Sequence, residues 1–228
     1  MDRRRLLLGA AALPLAAALP RLAAAGEAVR PVRVLVFGDS LAAGFGLAPE
    51  AGFVPALSRW VAARSTWPVR FLNAGLSGDT TYGGRVRIGW ALRHDPEAVI
   101  VELGGNDMLM RLDPARSAAN LGAIIDKAGA GGRPVLLLGI HATGGARYRR
   151  RWDAIWPALA TRHGVPLVPD LYATIRAHAA EERAAYLQRD GLHASEKGVA
   201  TMVALAGPAV LELVARAAAR RSAAPAAG

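Results

Sequence analysis

The sequence predicts a single doubly wound α/β domain, and three features carry that expectation. Short β-branched or aliphatic runs recur at 32–37, 69–73, 98–103, 135–140 and 165–168. Segments with helical patterning lie among them, at 53–64, 80–93, 115–128, 148–163, 171–180 and 195–219, so strand and helix alternate as βαβ units require. With 228 residues, 53% of them hydrophobic and 20% charged, the chain suits one globular domain with a full-sized core.

Residues 1–25 stand outside this pattern. Met1 to Arg5 is strongly basic, Leu6 to Pro20 is apolar but too short to span a bilayer comfortably, and Ala23-Ala24-Ala25 supplies the small residues of a cleavage site. Together they read as a signal peptide, with Gly26 as the first mature residue. Arg3-Arg4-Arg5-Leu6-Leu7 fits a twin-arginine signal, and the general secretory route fits nearly as well. Pro14 and Pro20 oppose the alternative of an apolar helix packed on the domain. The expected location is therefore the periplasm or the exterior, with no membrane anchor after processing. The folded domain is expected over 26–219, and the alanine-rich end, 220–228, reads as a disordered tail.

Composition removes several chemistries. There are no cysteines, which excludes disulfides, thiolate metal sites and a cysteine nucleophile. The formal charge of +10 invites a nucleic-acid reading, yet nearly all the basic residues are arginines scattered along the chain. Without interleaved aromatics or a nucleic-acid motif, that charge points to no nucleic-acid partner.

Taken in order, the strand exits collect the candidate chemistry, and the carboxyl ends of strands are where such sheets bind ligands. The run 32–37 is apolar apart from Arg33, as a strand covered on both faces must be. Gly38 then permits a sharp turn, and Asp39 and Ser40 are good helix caps. Ser40 would therefore sit at a helix amino end, with backbone N–H groups beside its hydroxyl. A plain capped turn explains the same stretch. After the second strand, Asn73 to Thr80 is polar and glycine-rich. Gly78 can present its N–H to the same space, while Ser77 is a rival nucleophile.

The third exit, Glu102 to Asp107, offers Asn106 as a neutral donor to a developing oxyanion, with Glu102 and Asp107 as structural acceptors. Met108, Leu109, Met110 and Leu112 follow at once and are expected to grip an apolar group, though core packing is the competing role. His141 follows the fourth strand and is the second-best histidine candidate. Asp190-Gly191-Leu192-His193 precedes the last helix, close enough for the carboxylate to hold the ring's tautomer.

In these pieces the chain resembles the SGNH, or GDSL, hydrolase family, and within it the bacterial periplasmic thioesterase, lysophospholipase and arylesterase subgroup. The motifs Gly38-Asp39-Ser40-Leu41, Ser77-Gly78-Asp79-Thr80, Gly104-Gly105-Asn106-Asp107 and Asp190-Gly191-Leu192-His193 stand in family order. The resemblance covers about Arg33 to Leu213.

It implies a three-layer α/β/α domain with a flavodoxin-like parallel sheet of about five strands, acting on a small-molecule acyl ester or thioester without metal or cofactor; a monomer is expected, although the sequence does not fix the oligomeric state. It also implies Ser40 as nucleophile, His193 as general base and then acid, and Asp190 orienting His193. The oxyanion hole would be formed by the backbone of Ser40, the backbone of Gly78 and the side chain of Asn106. Where the subgroup has a proline and an aromatic, this chain reads His141-Ala142-Thr143-Gly144-Gly145, a smaller and more polar wall. Relatives' acyl preference therefore does not carry over. The alternatives are a carbohydrate O-deacetylase on the same scaffold and, in a different class, a non-catalytic polyanion- or glycan-binding protein.

Overall fold

Parallel strands form one sheet in the order β2-β1-β3-β4-β5 in the computed structural model, which describes residues 30–223. The first half of the chain supplies β1 (Val32–Gly38), α1 (Ser40–Ala43), α2 (Phe53–Ala62), β2 (Val69–Gly75), α3 (Thr81–Ala91), β3 (Ala98–Glu102), α4 (Gly105–Leu109) and α5 (Pro114–Gly129). The second half supplies β4 (Val135–Leu138), α6 (Ala146–Asp153), α7 (Ile155–His163), β5 (Leu167–Val168), α8 (Ala173–Arg176), α9 (Ala180–Arg183) and α10 (Glu196–Ala223). The signal peptide expected over 1–25, the mature start at Gly26 and residues 224–228 of the expected tail lie outside the described residues.

The apolar runs become strands covered on both faces. Alternate residues of β1 point to opposite sides. Val32, Val34 and Val36 join a core with α2 and α10, while Leu35 and Phe37 join one with α3, α5 and α7. Arg33, the one charge in β1, reaches out to pair with Asp95 at 2.6 Å. β2 is an edge strand and stays half-exposed. By length and composition α10 could cross a bilayer, but its apolar side, including Val199, Met202 and Val210, packs into the core.

Several boundaries differ from the sequence expectation, and proline explains two of them. β5 shrinks to Leu167–Val168 because Pro166 and Pro169 flank it and lack the N–H that would extend its ladder. The helix expected over 148–163 is two helices, α6 and α7, split at Ala154, where Pro157 lacks the N–H that a continuous helix needs. The segment 171–180 holds only the short α8 and the start of α9. The tail boundary at 220 is corrected: α10 continues to Ala223, and Arg220 and Arg221 donate to the carbonyls of Gly131 and Arg30 at 2.6 and 2.7 Å.

The strand order reverses between β1 and β3, so the crevice of this sheet opens at their carboxyl ends. Ser40, Gly78 and Asn106 all leave from loops at that end, following β1, β2 and β3 respectively.

Candidate active site

The first wall of the crevice is the turn from β1 into α1. Asp39 caps α1 by accepting the Leu41 N–H at 3.3 Å, which makes Ser40 the first helical residue. Gly38 is required here, because a Cβ would collide with the Glu102 carboxyl group and with Ala42. His193 Nε2 lies 2.9 Å from Ser40 Oγ, and His193 Nδ1 lies 2.6 Å from Asp190 Oδ2. With the Nδ1 proton held by Asp190, Nε2 presents its lone pair to the serine hydroxyl. The other oxygen of Asp190 accepts the N–H groups of Leu192 and His193 at 2.9 and 3.0 Å. The hydrogen bond to His193, helped by the Leu192 amide, holds the Asp190 carboxyl down at about 2. The short Asp-x-x-His spacing thus closes a turn that carries its own acid–base pair.

Gln188 ties this turn to the nucleophile loop, a role with no local mark in the sequence. Its Nε2 donates to the carbonyls of Phe45 and Ala194 at 2.8 and 3.0 Å, and its backbone N–H donates to His193 O at 2.7 Å. The Phe45 ring lies against the imidazole, with centroids 4.6 Å apart.

The second wall comes from β2 and β3. Gly78 has φ +81°, a conformation that favours glycine, and the space where a Cβ would stand is open. Asn106 Nδ2 donates to Asp79 O at 2.9 Å and lies 3.4 Å from Asp39 Oδ2, which locks the amide between the two walls. Asp107 is buried and accepts Thr81 N–H and Ser117 Oγ–H, each at 2.8 Å. Arg87, another residue sequence reasoning passed over, clasps the ends of β1 and β2. It donates to Asp79 Oδ2 at 2.6 Å and to the carbonyls of Ala74 and Gly38, each at 2.9 Å, and its guanidinium lies over the Phe37 ring.

Two acids lie beside the nucleophile, Asp39 buried and Glu102 half-buried. Burial lifts the Asp39 carboxyl to about 6 against the pull of the Leu41 amide. Glu102, which accepts Asp39 N–H at 3.3 Å, is pushed well above the carboxylate range by burial and then by the Asp39 charge. Burial also raises the Tyr172 hydroxyl.

Between the walls lies a cleft of about 230 Å³, lined among others by Ser40, Gly78, Asn106, Met108, Leu109 and His193. Ser77 borders it too, but the imidazole faces Ser40. Met110, Leu112 and His141, expected at the acyl pocket, are not among its lining residues. α4 ends at Leu109 and the backbone of Arg111 adopts φ +57°, which turns the chain away from the cleft. His141 keeps Nδ1 3.9 Å from Asp170 Oδ2. An acidic neighbour alone does not mark a functional histidine here. His163 and His178 also have one, at 2.9 and 3.2 Å, and it is the serine contact that sets His193 apart. A larger depression of about 590 Å³ between α5 and α7 is lined by His163 and Asp126 but by none of Ser40, Gly78, Asn106, Asp190 and His193.

The chain is similar to proteins named as esterases and thioesterases. Esterase TesA of Pseudomonas aeruginosa is 39% identical over 139 residues, covering 60% of this chain and 69% of that protein. Thioesterase 1/protease 1/lysophospholipase L1 of Escherichia coli is 34% identical over 165 residues, covering 70% and 74%. A crystal structure of TesA matches with a TM-score of 0.73 at 33% identity, covering 79% of this chain and 99% of that one. The model of the GDSL-like Lipase/Acylhydrolase family matches residues 36–200, from the end of β1 into α10 and across every loop of the cleft, and the chain belongs to that family.

Proposed function

We propose that this protein is an exported serine hydrolase that cleaves carboxylic esters and thioesters through an acyl-Ser40 intermediate. The observation that carries the reading is the unbroken line from Asp190 Oδ2 through His193 to Ser40 Oγ, at 2.6 and 2.9 Å. His193 Nε2 takes the hydroxyl proton as Ser40 Oγ attacks the carbonyl carbon. The oxyanion is received by the N–H groups of Ser40 and Gly78 and by Asn106 Nδ2, each such donor being worth roughly 3 to 4 kcal/mol. His193 then protonates the departing alcohol or thiol. In the second half, it takes a proton from water as the hydroxide oxygen bonds to the acyl carbon; the acyl bond to Ser40 Oγ then breaks, His193 returns the proton to that oxygen, and the acid leaves. The names of the two relatives, an esterase and a thioesterase/lysophospholipase, support this substrate class. The basic start, the apolar run and the Ala23-Ala24-Ala25 site support export.

Met108 and Leu109 line the cleft and would contact the acyl chain. Each additional buried CH₂ is worth up to about 0.8 kcal/mol, so rates should rise from acetyl esters until the cleft is full. The reading is tested with a fluorophosphonate probe and a panel of p-nitrophenyl esters, acyl thioesters and lysophospholipids. One adduct should form and map to Ser40, and Ser40→Ala should lose adduct and turnover by several orders of magnitude. An adduct on Ser77, or normal turnover by Ser40→Ala, refutes it.

A further inference from the structure

Beside the cleft mouth the protein exposes large apolar side chains among cations that have no ion-pair partner among the described residues. Leu109, Met110 and Leu112 are 46%, 59% and 40% exposed, although Leu109 also lines the cleft. They form a lip that is fixed in place. Arg111 Nη1 donates to Thr143 O, the Arg111 guanidinium lies 5.1 Å from the Tyr148 ring centroid, and Tyr148 O–H donates to Leu112 O at 3.2 Å. These contacts hold Arg111 in the left-handed region at φ +57°, which a side-chain-bearing residue seldom occupies. Tyr148 belongs to α6, whose exposed Arg147, Arg149 and Arg150 flank it; Arg149 donates to Gly144 O at 3.0 Å. The neighbouring acid Asp113 is already paired with Arg151 at 2.6 Å. Among the described residues the lip therefore carries an uncompensated positive charge around an apolar strip that leads into the cleft.

Neither half of this surface explains the other. A purely polyanionic partner has no use for exposed methionine and leucine, and an apolar protein partner would leave the guanidiniums unpaired. A layer of acyl chains beneath anionic headgroups satisfies both. Building on the hydrolase reading above, we propose that the lip of Leu109, Met110, Leu112 and the α6 arginines seats this enzyme on an anionic phospholipid surface, with Leu109 leading acyl chains from the surface into the cleft.

The test is co-sedimentation with vesicles of phosphatidylcholine alone or mixed with phosphatidylglycerol, at low and high salt. The wild-type protein should bind the mixed vesicles preferentially and release them at high salt. Each basic residue close to an anionic surface strengthens binding roughly fivefold. The variant with Arg147→Glu, Arg149→Glu and Arg150→Glu should therefore lose about a hundredfold or more, with turnover of soluble p-nitrophenyl acetate unchanged. Met110→Asp should weaken vesicle binding independently. Ser40→Ala should bind vesicles like the wild type, which separates failure of docking from failure of the hydrolase reading. Indifference to phosphatidylglycerol, or full binding by the charge-reversed variant, overturns the proposal. So does full binding by Met110→Asp, which would reduce the lip to a simple polyanion site.

Discussion

Replacing Arg87 tests whether the two walls of the cleft are held together by one side chain. Arg87→Ala removes three hydrogen bonds and leaves the Asp79 carboxylate, which is only 6% exposed, without its 2.6 Å partner. Breaking a buried pair from one side costs about 3 to 5 kcal/mol. At about 2 to 4 °C per kcal/mol for a domain of this size, the melting temperature should fall by roughly 6 to 20 °C. Activity should fall as well, because Asp79 follows Gly78 and its carbonyl holds Asn106 Nδ2 at 2.9 Å. Displacing one oxyanion donor costs about a hundred- to a thousandfold in kcat. Arg87→Lys keeps the charge but cannot reach all three partners in a fork, so it should recover part of the stability and less of the rate. Arg87→Ala combined with Asp79→Asn should be less destabilised than the two single changes summed, since no buried charge is stranded. Thermal melts and kcat on p-nitrophenyl acetate read all four variants. Wild-type kcat with a stability loss under about 1 kcal/mol, the value of an exposed pair, would refute the reasoning.

Asp190→Asn combined with His193→Ala should cost little more in kcat than His193→Ala alone, because a carboxylate that only orients the ring is idle once the ring is gone. Additive losses would separate the two residues. Asp39→Asn should gain thermal stability over the wild type as pH rises. The folded carboxyl is lifted to about 6, so its protonated form stabilises the fold below the unfolded value near 4, and that stability is lost as pH rises through 6. The shift corresponds to roughly 3 kcal/mol by pH 7, and melts at pH 4 and pH 7.5 should show the difference between variant and wild type widening. A constant difference would place the Asp39 charge elsewhere in the balance.

The fold was legible because a strand covered on both faces leaves a continuous apolar run, and the runs 32–37, 98–103 and 135–140 left little choice. The site was legible where function is encoded within a few residues, as in Asp190 and His193, which one turn brings together. Gln188 and Arg87 were not, for the opposite reason. Gln188 bonds Phe45 across 143 positions and Arg87 bonds Gly38 across 49, and no local pattern distinguishes such a side chain from a solvated one. The run from Met108 to Leu112 was read as one pocket wall because composition does not show where a short helix stops. The end of α4 at Leu109 divides it, leaving Met108 and Leu109 at the cleft and Met110 and Leu112 on the surface.

Gly38-Asp39-Ser40 shows why the plain reading of a motif and the functional one need not compete. As a capped turn, the stretch needs a short acceptor at position 39 and a tight backbone at position 38, and the structure uses both for that purpose. The cap places Ser40 in the first turn of a helix, where amides face outward without helical partners, and an oxyanion requires such amides. Meanwhile Asp39 Oδ2, 3.4 Å from Asn106, links the cap to the opposite wall. A fold selected for stability alone would not keep this carboxyl buried beside Glu102, since burial raises the cost of ionising both and the Asp39 charge raises that of Glu102 further. The strain is tolerable because the same carboxyl closes the helix end and borders the serine hydroxyl at 3.5 Å. An asparagine would cap equally well and bear no charge. The stability gained by Asp39→Asn above pH 6 therefore measures what the fold forgoes to keep an acid beside its nucleophile.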